Sequence, residues 1–174
     1  MRSLARLIPI ADRIDRLNAA IGRGAAWLAL VVVLVQFGVV LLRYCFGMGS
    51  IWLQESIIYA HAALFMLAAA WVLQTGAHVR VDIFYADASP RRKALIDLLG
   101  TFLLLLPFAA LLIWFSVPYA ARSFAILERS RESSGLPIVY LLKSLIPLFA
   151  FLLALQGLAQ AIRAANVLAG EKAR

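Results

Sequence analysis

The sequence predicts an all-α membrane protein with four transmembrane helices, an N-terminal amphipathic interfacial helix and both termini in the cytoplasm. Three observations support this prediction. The mean hydropathy of +0.89 is far above that of soluble proteins, and only 15% of the residues are charged. Long uncharged stretches recur along the chain, and the basic residues are distributed unevenly between the segments that connect them.

Intervals without charge locate the spans. Nineteen uncharged residues separate Arg23 from Arg43, 24 separate Asp97 from Arg122, and 19 separate Lys143 from Arg163. A helix needs about 20 residues to cross a hydrocarbon core of roughly 30 Å. The predicted spans cover about 24–44, 52–75, 96–119 and 139–162. Pro107 and Pro147 are expected to kink their helices without breaking them, because a span in lipid must satisfy its own backbone polar groups.

The predicted orientation depends on how the basic residues are distributed between the two sides of the membrane. Four crossings place both termini and the 74–95 loop on one side, which carries 12 lysines and arginines, against 5 on the other. The positive-inside rule therefore assigns the termini and this loop to the cytoplasm.

The N-terminal segment, residues 1–23, has apolar residues at three- and four-residue spacing and is predicted to form an amphipathic helix on the cytoplasmic leaflet. Acidic and basic side chains interrupt any apolar core that a signal peptide would need. No Pro- or Ser-rich linker divides the chain, so residues 1–174 are expected to form a single membrane domain.

Several functional classes are disfavoured by composition. The single cysteine, Cys45, excludes an internal disulfide and a cysteine-based metal cluster. The net charge of +8 is explained by membrane orientation, so no nucleic-acid partner is expected. The serines of the outer loop have no histidine nearby in the sequence, and no phosphate-binding glycine motif is present. We therefore predict no enzymatic activity, no cofactor and no metal site.

The two histidines raise the alternative of a haem anchor. His61 and His78 are 17 residues apart on or just beyond one helix, about 25 Å, so they cannot ligate the same iron. We expect His61 to be a buried, hydrogen-bonded side chain.

Glu55 is the most notable single residue, because a carboxylate within a membrane span is costly. It lies three residues after Trp52, near the outer interface, and Arg43 closes the preceding span. The sequence predicts an interfacial ion pair, formed either with Arg43 or with a partner subunit. A proton-coupled role for Glu55 is the alternative.

The loop "GAHVRVDIF" alternates polar and apolar residues. His78 and Asp82 would share one face of a helix at i and i+4, and with Arg80 they would share one face of an extended segment. This alternation favours a segment that lies against lipid or protein. Ser89 and Pro90 are predicted to cap and open the third helix.

These features resemble the small integral-membrane subunit of tripartite ATP-independent periplasmic (TRAP) transporters. The resemblance covers residues 24–162 and rests on "LLRYCFGMGSIWLQE", "GAHVRVDIF" and "ESSGLPIVYLLKSLIPLFAFLLALQGL". It implies a multi-pass protein of the bacterial inner membrane.

The resemblance also implies function and partners. It implies a scaffold for a large multi-span transport subunit, with substrate delivered by a periplasmic binding protein and uptake of a carboxylate-containing organic anion driven by sodium. Membrane lipids are the third expected partner, beside the large subunit and the binding protein. The residues that match the family motifs, and that are expected to form subunit or membrane interfaces, are Arg43, Trp52, Glu55, His78, Asp82, Glu132, Ser133 and Pro137. A self-contained proton-coupled exporter and a haem or quinone anchor are the alternatives.

Overall fold

The computed structural model describes residues 6–78, 85 and 87–170, and within these ranges it contains helices and no strands. Four helices are long and apolar enough to cross a membrane: α1 (Ile8–Phe46), α2 (Ile51–Gln74), α3 (Pro90–Ala125) and α4 (Val139–Leu168). The predicted all-α fold with four spans is confirmed.

Helix α1 is longer than the predicted first span. Its 39 residues extend about 58 Å, which is well beyond a hydrocarbon core of about 30 Å. The predicted amphipathic segment is helical from Ile8 onward, but it continues into the first span and is not a separate element. In its N-terminal part, the buried face of α1 consists of small and polar residues: Ala11, Asn18, Ala19, Gly22 and Ala25.

Glycine sets the close approach of α1 and α2. A Cβ at Gly22 would lie 2.4 Å from the Cβ of Trp71, so only a glycine fits there. At its other end α1 finishes in Gly47, which has a left-handed φ of 65°. Ser50 then caps α2 by accepting a hydrogen bond from the backbone N–H of Leu53.

Helix α3 begins as predicted. The hydroxyl of Ser89 accepts a hydrogen bond from the backbone N–H of Arg92, and Pro90 occupies the first turn. The helix widens into a π-helical turn over Thr101–Leu105, which ends two residues before Pro107. π-Helical turns are one of the ways in which a helix accommodates a local irregularity in its hydrogen bonding.

Helix α4 is the central element of the bundle. It packs against the other three helices, and 39% of its most apolar stretch is buried, against 11% in each of the others. A Cβ at Gly157 would lie 2.1 Å from a methyl carbon of Leu105, so this glycine allows α4 to pack against the π-helical turn. Small residues at helix contacts permit such close packing in membranes. Pro147 lies within α4, which runs through it as predicted.

Candidate functional site

Glu55 connects α2 to the loop between α3 and α4. It lies in the second turn of α2, where its carboxylate accepts hydrogen bonds from the hydroxyl of Ser130 and from the backbone N–H of Leu136, the latter at 2.6 Å. Of the two predicted ion-pair partners of Glu55, Arg43 is wrong, and a partner subunit stays a prediction. Arg43 is exposed, and within the described part of the chain its side chain forms no ion pair.

The loop that Glu55 holds is tightly folded. The backbone N–H of Ser130 donates to the carbonyl of Leu136 at 3.1 Å, and that of Gly135 donates to the carbonyl of Glu132 at 3.1 Å. Leu136 is buried, with only 7% of its surface exposed. A Cβ at Gly135 would lie 2.4 Å from the Ser130 hydroxyl oxygen and 2.8 Å from Oε1 of Glu55. A glycine at position 135 therefore leaves the space that the hydrogen bond between Glu55 and Ser130 occupies.

The predicted loop residues lie around this contact without joining it through their side chains. Glu132, Ser133 and Pro137 are exposed, as is Trp52, which keeps 53% of its surface accessible. They remain candidates for contact with another protein or with lipid headgroups.

An ion pair stabilises the base of the same loop. The ammonium of Lys143 lies 2.6 Å from the carboxylate of Glu128 and 4.2 Å from the ring centre of Tyr119. The hydrogen bond from Lys143 holds the pKa of Glu128 below its ordinary value. Sequence reasoning did not single out this pair, although Glu128 in the loop and Lys143 in the second turn of α4 are oppositely charged.

A second polar cluster occupies the opposite end of the bundle, between α1 and α4. Gln156 is fully buried, accepts a hydrogen bond from the amide of Asn18 at 2.7 Å, and donates one to Asp15 at 2.8 Å. Arg163 contacts Asp15 at 2.6 Å and Asp12 at 2.8 Å. These bonds fix the N-terminal part of α1 against α4, since a polar group buried at this depth is costly to leave unpaired.

Sequence reasoning missed this cluster. It assigned the polar residues of α1 to a membrane-surface helix and treated Gln156 as part of an apolar span. A signal was present: Gln156, Gln160 and Arg163 recur at four- and three-residue spacing on one face of the last helix. Gln160 also contributes, donating to the carbonyl of Leu73 at 2.9 Å, which links α4 to the end of α2.

The histidines differ from expectation. His61 was predicted to be buried and hydrogen-bonded, and this is wrong: it is exposed, and no described residue bonds to its side chain. His78 follows α2, and its Nε2 lies 3.3 Å from the carbonyl oxygen of Ala69. Arg80 and Asp82 lie outside the described residues, so the predicted His78–Asp82 face stays a prediction.

Comparison with known families identifies the chain. The sequence pattern of the family described as tripartite ATP-independent periplasmic transporters, DctQ component, matches residues 20–167. The chain belongs to this family. As a DctQ component it is the small membrane component of a TRAP transporter and a multi-pass protein of the inner membrane. Comparison with curated proteins and with solved structures gave no match.

The match extends over both polar contact regions. It includes the loop held by Glu55, and it includes Gln156 and Arg163 of the second cluster. It begins after Asp12, Asp15 and Asn18, so the α1 side of that cluster lies outside the matched range.

Proposed function

We propose that this DctQ component is a non-catalytic scaffold for the large multi-span subunit of its TRAP transporter. In this proposal the complex takes up a carboxylate-containing organic anion, which a periplasmic binding protein delivers, and a sodium gradient drives the uptake. The termini and the 74–95 loop lie in the cytoplasm, as the basic residues predict.

The single observation that carries the scaffold role is that Glu55 and Gln156, two polar residues of the predicted spans, connect separate elements of the bundle. Glu55 bonds to the loop between α3 and α4, and Gln156 bonds to Asn18 and Asp15 of α1. Each contact joins elements that are far apart in the chain, which favours a fixed arrangement of helices. A translocating protein would instead be expected to direct its costly polar groups towards a substrate pathway.

The two alternatives have less support. In a proton-coupled exporter, the essential carboxylate would face a cavity, whereas both oxygens of Glu55 accept hydrogen bonds from the loop. In a haem anchor, paired imidazoles would face each other, whereas His61 is exposed on α2 and His78 lies beyond the end of that helix.

Reconstitution tests the proposal. Proteoliposomes would contain the large subunit alone, this chain alone, or both, with a sodium gradient, the binding protein and a panel of labelled organic acids. We expect uptake only when both subunits are present. Equal uptake by the large subunit alone would contradict the scaffold role, and robust uptake by this chain alone would favour the exporter.

A further inference from the structure

Two polar side chains lie on the outer surface of the α1–α2 hairpin at the middle of the membrane. His61 is ten residues into α2, and Gln36 is ten residues before the end of α1, so both lie about 15 Å from the connected ends of the two helices. Because α2 has 24 residues and spans about 36 Å, this depth is close to the centre of the hydrocarbon core. Both side chains are exposed.

Gln36 and His61 lie on the same side of the α1–α2 hairpin. A groove of about 500 Å³ lies between the helices, with Gln36, Val40 and Arg43 on α1 facing Gln54, Ile57 and Ile58 on α2. His61 follows Ile57 by four residues and Ile58 by three, so it continues the α2 wall of this groove.

Lipid tails cannot satisfy the polar side chains on this surface. Within the described part of the chain, the side chains of Gln36 and His61 have no hydrogen-bond partner, and hydrocarbon provides none. The outer face of α3 is different: at comparable depth it exposes Phe108, Leu111, Trp114 and Phe115, which suit lipid.

We propose that the α1–α2 groove is the docking surface for the large transport subunit. This inference rests on the proposed function and adds to it the face that is used. The occupant is a transmembrane helix of the large subunit that presents hydrogen-bonding side chains to Gln36 and His61 and an acceptor or carboxylate to Arg43.

Charge favours this occupant over a second copy of the chain. Arg43 is the one residue with a permanent charge among those that line the groove. A symmetric dimer through the same face would bring two copies of Arg43 together without a carboxylate from the groove to balance them.

Photocrosslinking in the purified two-subunit complex tests the face directly. A photoreactive residue would replace Ile58 in the groove or Leu111 on α3, positions matched by an exposure of 59% each. We expect the Ile58 position to crosslink to the large subunit and the Leu111 position not to do so. Crosslinking from Leu111 alone, from neither position, or from Ile58 to a second copy of this chain would overturn the inference.

A double substitution tests the same face through the yield of the complex, without disturbing the fold of the isolated chain. The double variant combines Gln36→Leu with His61→Leu. Neither side chain forms a hydrogen bond within the described part of the chain, so the isolated variant should stay folded. We expect the yield of large subunit copurified with it to fall about fivefold or more, as interhelical hydrogen bonds are lost. Trp114→Leu, at a residue 75% exposed on α3, should leave the yield unchanged.

The outcomes separate the two proposals. If the unmodified chain does not copurify with the large subunit, the proposed function fails and this inference fails with it. If the complex forms but the double variant assembles normally, only the α1–α2 face is wrong.

Discussion

The carboxylate of Glu55 accepts a 2.6 Å hydrogen bond from the backbone N–H of Leu136, 81 residues further along the chain. With the second bond from Ser130, this contact joins the start of α2 to the loop that precedes α4. Placing a carboxylate within a membrane span is energetically costly, and here this carboxylate holds a loop in place.

Replacing Glu55 by glutamine should weaken this connection. The neutral amide has one acceptor oxygen where the carboxylate has two, so one loop donor loses its partner. We expect a loss of about 1–3 kcal/mol in stability, because hydrogen bonds to charged groups are among the stronger ones. Thermal unfolding in detergent and proteolysis within residues 126–138 would measure the effect.

The same variant tests the scaffold role. We expect weaker assembly with the large subunit and an unchanged sodium dependence in the complexes that survive. Arg129→Gln, at an exposed residue of the same loop that is not among the predicted interface residues, is the matched control and should have little effect. Full assembly of Glu55→Gln with abolished uptake per complex would place Glu55 in the transport mechanism instead.

Gly135→Ala should disturb the loop through sterics alone. The added Cβ would lie 2.4 Å from the Ser130 hydroxyl oxygen, so the Ser130 side chain or the backbone must move. We expect a destabilisation of about 1–3 kcal/mol, in the range found for overpacking. The control is Gly49→Ala, where a Cβ meets nothing within 4 Å. Thermal unfolding of both variants decides the matter, and equal stabilities would show that the loop adapts freely.

The Gln156 cluster predicts a coupling between α1 and α4. Gln156→Leu leaves the amide of Asn18 without its acceptor and removes one donor from Asp15. We expect the single variant to lose about 2–4 kcal/mol, since buried polar groups become unpaired.

A double-mutant cycle isolates the Asn18–Gln156 bond. Asn18→Leu in the Gln156→Leu background should cost less than Asn18→Leu alone, with an interaction energy of about 0.5–3 kcal/mol. Unfolding measurements on the four proteins give this value. Strict additivity would mean that the observed bond contributes no stability.

Topology can be tested at two exposed loop positions. Asp87 precedes α3 and Ser133 follows it; both are exposed, and neither side chain bonds to any residue in the described part of the chain. In a background lacking Cys45, cysteine at position 133 should react with an impermeant maleimide on intact spheroplasts, and cysteine at position 87 should not. The reverse labelling would invert the predicted orientation.

The local sequence determined the class and the elements of this protein. Span number and position depend on hydropathy and on helix length, which are properties of consecutive residues. The start of α3 at Ser89 and Pro90 was also predictable, because a cap requires contact only between close neighbours. The family resemblance, confirmed over residues 20–167, rested on motifs that are likewise local.

The tertiary structure alone decided which polar groups meet. Glu55 bonds to Leu136 instead of Arg43, and Gln156 bonds to Asp15, which is 141 residues away. These pairings depend on the order and rotation of packed helices, and therefore on close approaches such as that of Gly22 to Trp71. A hydropathy pattern is nearly the same all round a lipid-exposed helix, so it does not reveal which face turns inward. For this reason His61 was assigned to the interior, although it lies on the surface of α2.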